Sequence, residues 1–166
     1  MPIIPFDALP DEARVWVFAA AAPITGAAAA MLLDAVDAHL QQWRAHGVPL
    51  VCARDWRDDR FLAIGVDEAA SNASGCSIDA LFHVLRGLEA QVGTSLVGSG
   101  TLYWRDRAGA VIAMDRLAFR AAVASGAVSG DTPVFDTTVA TVGAWRRAFE
   151  TPARASWHAR LMPVGH

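Results

Sequence analysis

The chain has 166 residues, of which 54% are hydrophobic and 19% are charged, and this composition predicts one folded domain and excludes a disordered protein. Its formal net charge of −3 excludes the basic surface that duplex nucleic acid requires, so we expect no nucleic-acid partner. The 14 basic residues are all arginine, which excludes a Schiff-base lysine, a pyridoxal anchor and a Walker A lysine.

The two cysteines, Cys52 and Cys76, lack the spacing of a disulfide framework or a zinc knuckle, and this favours a reducing cytoplasm. The uncharged run over 15–33 is long enough to suggest a membrane span. Acidic residues precede it and Pro23-Ile24-Thr25-Gly26 interrupts it, so we expect neither a span nor a signal segment.

The first half of the chain predicts strands that alternate with two long amphipathic helices. We expect a strand over 14–20, a helix from Thr25 to about residue 46, strands over 50–56 and 60–67 around a hairpin turn, and a helix over 77–92. The second half predicts a hairpin of 101–105 with 110–114, a helix over 115–125, a strand over 133–139, a helix over 141–149 and an irregular tail.

The order strand, helix, strand, strand, helix, strand predicts an α+β protein with a ferredoxin-like split βαβ sandwich over 14–105. We expect a single domain over 1–166, in which 106–166 packs on that core and both long helices cover one face of an antiparallel sheet. The opposite face would carry Trp16, Phe18 or Phe61, which is too much aromatic surface to leave in water. Either residues 115–166 or a second subunit would cover it, so a homodimer is one prediction.

Cys76 lies between a small-residue loop and the start of the 77–92 helix, where unpaired backbone N–H groups and the helix dipole favour a thiolate. This placement is typical of a reactive cysteine. It is equally typical of an ordinary helix start, in which Ser74 or Ser77 caps the helix and Cys76 is a small residue that fits.

Asp79, His83 and Arg86 share one face of that helix, and an Asp79–His83 hydrogen bond would raise the basicity of the imidazole. We do not expect a direct Cys76–His83 pair, because seven residues of helix separate their Cα atoms by roughly 10.5 Å. The alternative is a solvated polar face.

The tail places Trp157, His158 and Arg160 within four residues of one another. His158 could fold back toward Cys76 as a base, and Arg160 could bind an anionic group. The alternative is a docked tail, in which Trp157 covers the exposed sheet face while His158 and Arg160 make surface contacts. His46 is a third candidate base, although a histidine near a helix C-terminus also simply complements the dipole.

Asp67 follows a predicted strand immediately before the cysteine loop, where a carboxylate could orient a histidine or remain solvated. Four residues have side chains of the types that bind metal ions: Cys76, His83, His158 and Asp67. They lack the short sequence spacing typical of metal sites, so we predict neither a metal nor a cofactor.

The chain resembles a small bacterial family in three segments. These are 73–79 (Ala-Ser-Gly-Cys-Ser-Ile-Asp), Trp43-x-x-His46-Gly47 and 156–160 (Ser-Trp-His-Ala-Arg). Its members are often labelled "ABC transporter ATPase", and the resemblance extends from Arg14-Val15-Trp16 to the tail. It implies no established activity. The label does not suit this chain, which has no GxxxxGK[ST] motif and no lysine.

Two functional hypotheses follow. The first is a small cytoplasmic thiol-dependent enzyme that acts on a small anionic substrate, with Cys76 as nucleophile or redox thiol. In this enzyme hypothesis, catalysis would be assisted by Asp79, His83, His158 or His46. The substrate would be bound by Asp67, Ser77, Trp157 and Arg160. The second is a non-catalytic ferredoxin-like module that dimerises or binds a protein through its aromatic sheet face. Neither hypothesis includes a membrane.

Overall fold

The computed structural model describes residues 4–45, 47–71, 78–98 and 100–163, which form a three-stranded antiparallel sheet, a four-stranded antiparallel sheet and a two-stranded ladder with helices around them. The chain is therefore α+β, as predicted. In these ranges no helix is long and apolar enough to cross a membrane.

The first part of the chain begins with a short 3-10 helix and contains the elements of the three-stranded sheet. These are Phe6–Ala8 (3-10), β1 (Arg14–Ala19), α1 (Gly26–Gln42), β2 (Arg44–Ala45), β3 (Val48–Pro49), β4 (Cys52–Arg57), β5 (Phe61–Val66), α2 (Glu68–Ser71) and α3 (Ile78–Val92). The second part supplies the four-stranded sheet and ends in two 3-10 helices. These are β6 (Thr101–Arg105), β7 (Val111–Asp115), α4 (Arg116–Ser125), β8 (Pro133–Phe135), α5 (Val142–Ala148), β9 (Glu150–Pro152), Ala153–Ala155 and Trp157–Leu161.

The three-stranded sheet has the order β1-β5-β4, and helices α1 and α3 pack together on one of its faces. Strands β4 and β5 form the predicted hairpin. Asp58 and Asp59 are the central residues of its turn, which the 3.1 Å hydrogen bond from Arg60 N to Arg57 O closes, and both lie in the left-handed region with φ of 56°. Aspartate tolerates this conformation better than most residues, which is why the turn forms without glycine.

Strand β5 is buried along its whole length, and its side chains alternate between two layers. Leu62, Ile64 and Val66 pack against the helices, whereas Phe61 and Ala63 pack against the second half of the chain. This alternation is the one expected of a strand that is buried on both faces. Gly65 lies where a Cβ atom would meet Leu9 Cδ1 at 2.5 Å, so the N-terminal segment packs directly on its backbone.

The aromatic residues of the sheet are divided differently from the prediction. Phe61 is covered by Tyr103, Phe135 and Phe149, whose ring centroids lie 5.2, 4.8 and 5.0 Å from its own, so the C-terminal residues do cover this face. The prediction for Trp16 and Phe18 was wrong, because both pack on the helix side of the sheet. The antiparallel register places Trp16 opposite Ile64 and Phe18 opposite Leu62, and residues directly opposite each other share a face.

Strand β6 does not take the position beside β1 that the split βαβ prediction gave it. All five of its residues pair with β7 through the hairpin turn at 106–109, and Trp104 pairs with Val134 of β8. The four-stranded sheet therefore has the order β7-β6-β8-β9. A tight hairpin forms from neighbouring residues without the cost of closing a long loop, and this favours β7 as the partner of β6.

Helix α4 matches its predicted limits because both of its ends carry strong signals. The Asp115 side chain accepts a 2.7 Å hydrogen bond from Ala118 N, and Gly126 ends the helix in the left-handed conformation with φ of 84°. The helix buries Phe119 and Val123 against the second sheet.

We predict that Leu85→Ala lowers the free energy of unfolding by about 2–5 kcal/mol, because Leu85 is fully buried between α3 and the sheet and its removal leaves a cavity. Urea titration of the variant measures the loss. The neighbouring exposed residue supplies the control, since Arg86→Ala should change stability by about 0.5 kcal/mol or less. A loss below about 1 kcal/mol for Leu85→Ala would contradict this packing.

Candidate functional site

Three residues of the predicted thiol site, Cys76, Ser77 and His46, lie outside the described residues. Their proximity to the tail stays a prediction. The thiol that the structure does describe is Cys52, which is buried beneath α1 with its Sγ 3.7 Å from Leu40 O. Burial raises the pKa of this thiol to about 12, so Cys52 remains protonated near neutral pH.

The polar face of α3 is exposed to solvent. Asp79, His83 and Arg86 are all exposed, and the hydrogen bonds found within the described ranges do not include an Asp79–His83 pair. The arrangement matches the alternative of a solvated helix face.

Asp67 continues the sheet beyond β5, because its backbone N–H donates a 3.0 Å hydrogen bond to Val51 O. The next residue, Glu68, forms an exposed ion pair with Arg14 at 3.2 Å. This pair ties the end of β5 to the start of β1.

His158 is buried in the C-terminal core rather than exposed as a base. Its ring stacks on Trp157 with centroids 4.1 Å apart and lies 5.7 Å from the ring of Phe119, and its Nδ1 is 2.8 Å from Ser156 Oγ. Burial lowers the pKa of His158 to about 4, and the nearby Asp136 opposes this shift only in part. The imidazole is therefore neutral near pH 7 and serves as a packing group.

The tail separates its three candidate side chains. Trp157 lines a cleft between the two sheets, His158 holds the tail to α4, and exposed Arg160 lies in a separate shallow depression beside Arg120. The tail is docked on the chain, but His158, which the docked-tail alternative placed at the surface, is buried, whereas Arg160 is exposed as that alternative expects.

The cleft between the sheets has a volume of about 560 Å³, which lies within the range of small-ligand and peptide sites. One wall is the outer edge of β1, and the other comes from the segment that leads into β6. Apolar side chains dominate its lining: Val15, Trp16, Val17, Phe18, Phe82, Leu96, Val97, Leu102, Val139 and Trp157.

At the edge of β1 that lines this cleft, Val17 has backbone groups that form no hydrogen bond with the described residues. The backbone N–H of Ala20 donates a hydrogen bond to Arg60 O on the β5 side. Because residues of an antiparallel strand alternate in the direction of their backbone N–H and C=O, the even-numbered residues of β1 bond to β5. The backbone N–H and C=O groups of the odd-numbered residues point away from β5. Val15 N, one of the outward groups, donates to Ala140 O at 2.9 Å. Val17 also faces outward, and neither its N–H nor its C=O has a hydrogen-bond partner among the residues that the structure describes.

Both ends of this open edge are closed by contacts from the second half of the chain. Ala140 covers it at Val15, and Tyr103 covers it at Ala19, where the tyrosine hydroxyl donates to the carbonyl at 3.4 Å. The five residues from Val15 to Ala19 span about 13 Å of extended strand between the first and last Cα atoms. The cleft therefore exposes a short, bounded length of strand edge.

Of the positions that form the cleft, Trp157 was predicted as a site residue from the sequence, and the others were not. Val17 reads as an ordinary buried strand residue, and Thr101 reads as the start of a hairpin. Which edge of β1 remains open depends on strand pairing between distant segments, and no local pattern carries that information. Across the described ranges no group of three or more histidine, cysteine or acidic side chains is placed to hold a metal ion.

We predict that protonation of His158 destabilises the fold. The pKa of this residue is about 4 in the folded chain and 6.5 when unfolded, so the unfolded state binds more protons between these values, and stability falls as pH drops from 6.5 to 4. The contribution of His158 to that loss is about 2–3 kcal/mol. Urea titrations at pH 7 and pH 4.5 should show a smaller loss for His158→Phe than for the unsubstituted chain. Equal losses in the two proteins would contradict the assignment.

Comparisons of this chain with protein-family models, with curated proteins and with solved structures found no match. The geometry of the cleft therefore carries the functional argument.

Proposed function

We propose that the protein is a non-catalytic binding module that takes an extended peptide into the cleft between its two sheets. The observation that carries this proposal is the edge of β1 at Val17, which has no hydrogen-bond partner among the described residues and lies in a cleft lined mainly by apolar side chains. Antiparallel pairing uses the N–H and C=O of a single residue together, so one residue of an incoming peptide would form two hydrogen bonds with Val17.

The chemistry of the cleft suits a polypeptide better than a purely apolar molecule. Backbone polar groups in a protein interior are almost always paired, and a ligand with its own amide groups would pair those of Val17. Trp16 and Trp157 line the same cleft and offer flat surfaces for the side chains of such a ligand. The bounded length of the edge limits the bound segment to about three to five residues.

The proposal also relates the bound peptide to the predicted ferredoxin-like topology. The order β1-β5-β4, with helices α1 and α3 on one face, supports placing these strands in a ferredoxin-like arrangement, which is a proposal because β6 belongs to the other sheet. In the complete arrangement a fourth strand would lie beside β1, and we propose that the bound peptide occupies this position. A partner would then bind at the edge of the sheet, because Phe61 on the sheet face is already covered by the chain itself.

The thiol-dependent enzyme remains a separate hypothesis, because it depends on Cys76. Membership of the bacterial family that the chain resembles, a homodimer and a cytoplasmic location are likewise proposals, and the family adds no activity to them.

We predict that Val17→Pro weakens peptide binding more than tenfold, because proline removes the N–H that the bound strand would use. The probe is a set of pools of acetylated pentapeptide amides, titrated into isotope-labelled protein while the amide signals of β1 and β6 are followed by NMR. Val17→Ala is the matched control, since it retains the N–H and should bind within about threefold of the unsubstituted chain.

Outward-facing proline is tolerated in edge strands, and circular dichroism checks that the variant folds. Thr138→Trp is the second variant, because Thr138 is exposed at the cleft and a larger ring there would block entry. Pools that leave the Val17 signal unmoved, or that bind equally well to Val17→Pro, would refute the proposed function.

The hypothesis of an activated Cys76 predicts alkylation by iodoacetamide at pH 6 much faster than that of glutathione. Cys52 contributes little background, because it is buried and its pKa is raised to about 12. Cys76→Ser should therefore remove the fast phase, which mass spectrometry follows. A rate at or below that of glutathione would remove the thiol hypothesis.

A further inference from the structure

The charged side chains that line the cleft are all of one sign. Arg14 and Arg116 are among its lining residues, and no aspartate or glutamate is among those that the structure describes there. This imbalance is local, because the chain as a whole carries a formal net charge of −3. A cleft with cationic residues and apolar walls favours a ligand that combines apolar groups with a negative charge.

Arg116 has no structural role that explains its position. It is exposed in the first turn of α4, where the helix dipole disfavours a positive charge. The neighbouring Asp115 uses a carboxylate oxygen to cap the helix at Ala118 N, and Arg116 has no ion-pair partner in the described part of the chain. Its guanidinium is available to a ligand.

Arg14 is held in place at the start of β1. Its guanidinium lies 4.5 Å from the ring centroid of Trp16 and 3.2 Å from a carboxylate oxygen of Glu68. Glu68 offsets part of the Arg14 charge, so Arg116 is the stronger candidate for an ionic contact. Arg14 also lies three residues from Val17, about 10 Å along the strand, and therefore beyond the end of the open edge at Val15.

We infer that the peptide bound in the cleft carries a carboxylate, which Arg116 binds while Val17 pairs with the peptide backbone. This inference rests on the proposed function and specifies the chemistry of its ligand. The carboxylate could be the C-terminus of the peptide or an acidic side chain, and both would form charge-assisted hydrogen bonds with a guanidinium.

The test compares three forms of the same acetylated pentapeptide pools: a C-terminal amide, a free C-terminal acid, and an amide with one glutamate. We expect one or both acidic forms to bind about tenfold more tightly than the neutral amide, with an advantage that shrinks as salt is raised. Tighter binding of the free acid alone identifies C-terminal recognition, and tighter binding of the glutamate form alone identifies an acidic side chain.

Arg116→Gln should remove this advantage, so that the acidic forms bind this variant no more tightly than the neutral amide does. Arg120→Gln is the matched control, because Arg120 is exposed on the same helix one turn away and does not line the cleft. It should behave like the unsubstituted chain.

Equal affinity for the three forms, or an acidic advantage that survives Arg116→Gln, would overturn this inference. Such a result would leave the proposed function standing as long as the neutral amide still shifts the Val17 signal. If no form shifts that signal, the proposed function and this inference both fail.

Discussion

Every residue of strand β5 is buried, and this requirement for cover on two faces organises the rest of the structure. The two long helices cover Leu62, Ile64 and Val66. A second layer, to which the N-terminal segment contributes Leu9 and the second half of the chain contributes the rest, covers Phe61 and Ala63. A small sheet with helices on one face would leave the ring of Phe61 in water. The second sheet and α5 supply the rest of that layer and make the C-terminal half part of the core.

Arginine side chains join the two layers at their margins. Arg60 is buried and donates to the carbonyls of Ala20, Ala21 and Val111, so a single guanidinium links the end of β1 to β7. Arg105 on β6 binds Glu150 through two hydrogen bonds and also reaches Asp58 in the turn of the first sheet. The fork geometry of arginine allows these multiple contacts, which an ammonium group would not make in the same way.

The two edges of the first sheet are treated differently, and this difference creates the cleft. On the β4 side, Ile4 N of the N-terminal segment donates a hydrogen bond to Cys52 O, and Arg54 forms a two-bond ion pair with Asp37. The N-terminal segment and this ion pair protect the β4 edge from pairing with a further strand. On the β1 side, hydrogen bonds from the described residues cover the edge at Val15 and at Ala19. Because β6 pairs with its hairpin partner β7, the position beside Val17 remains open.

The sequence by itself determined the local elements, since the signals for them lie within a few residues of one another. The alternation along β5, the Asp58-Asp59 turn and the caps of α4 at Asp115 and Gly126 were all readable from short-range pattern. Tertiary structure decided which strands pair and which faces meet. The placement of Trp16, the pairing of β6 and the burial of His158 depend on register and packing between distant segments, where several partners satisfy the same local pattern. The open edge at Val17 is a consequence of those choices, and for that physical reason it could be found only in the folded chain.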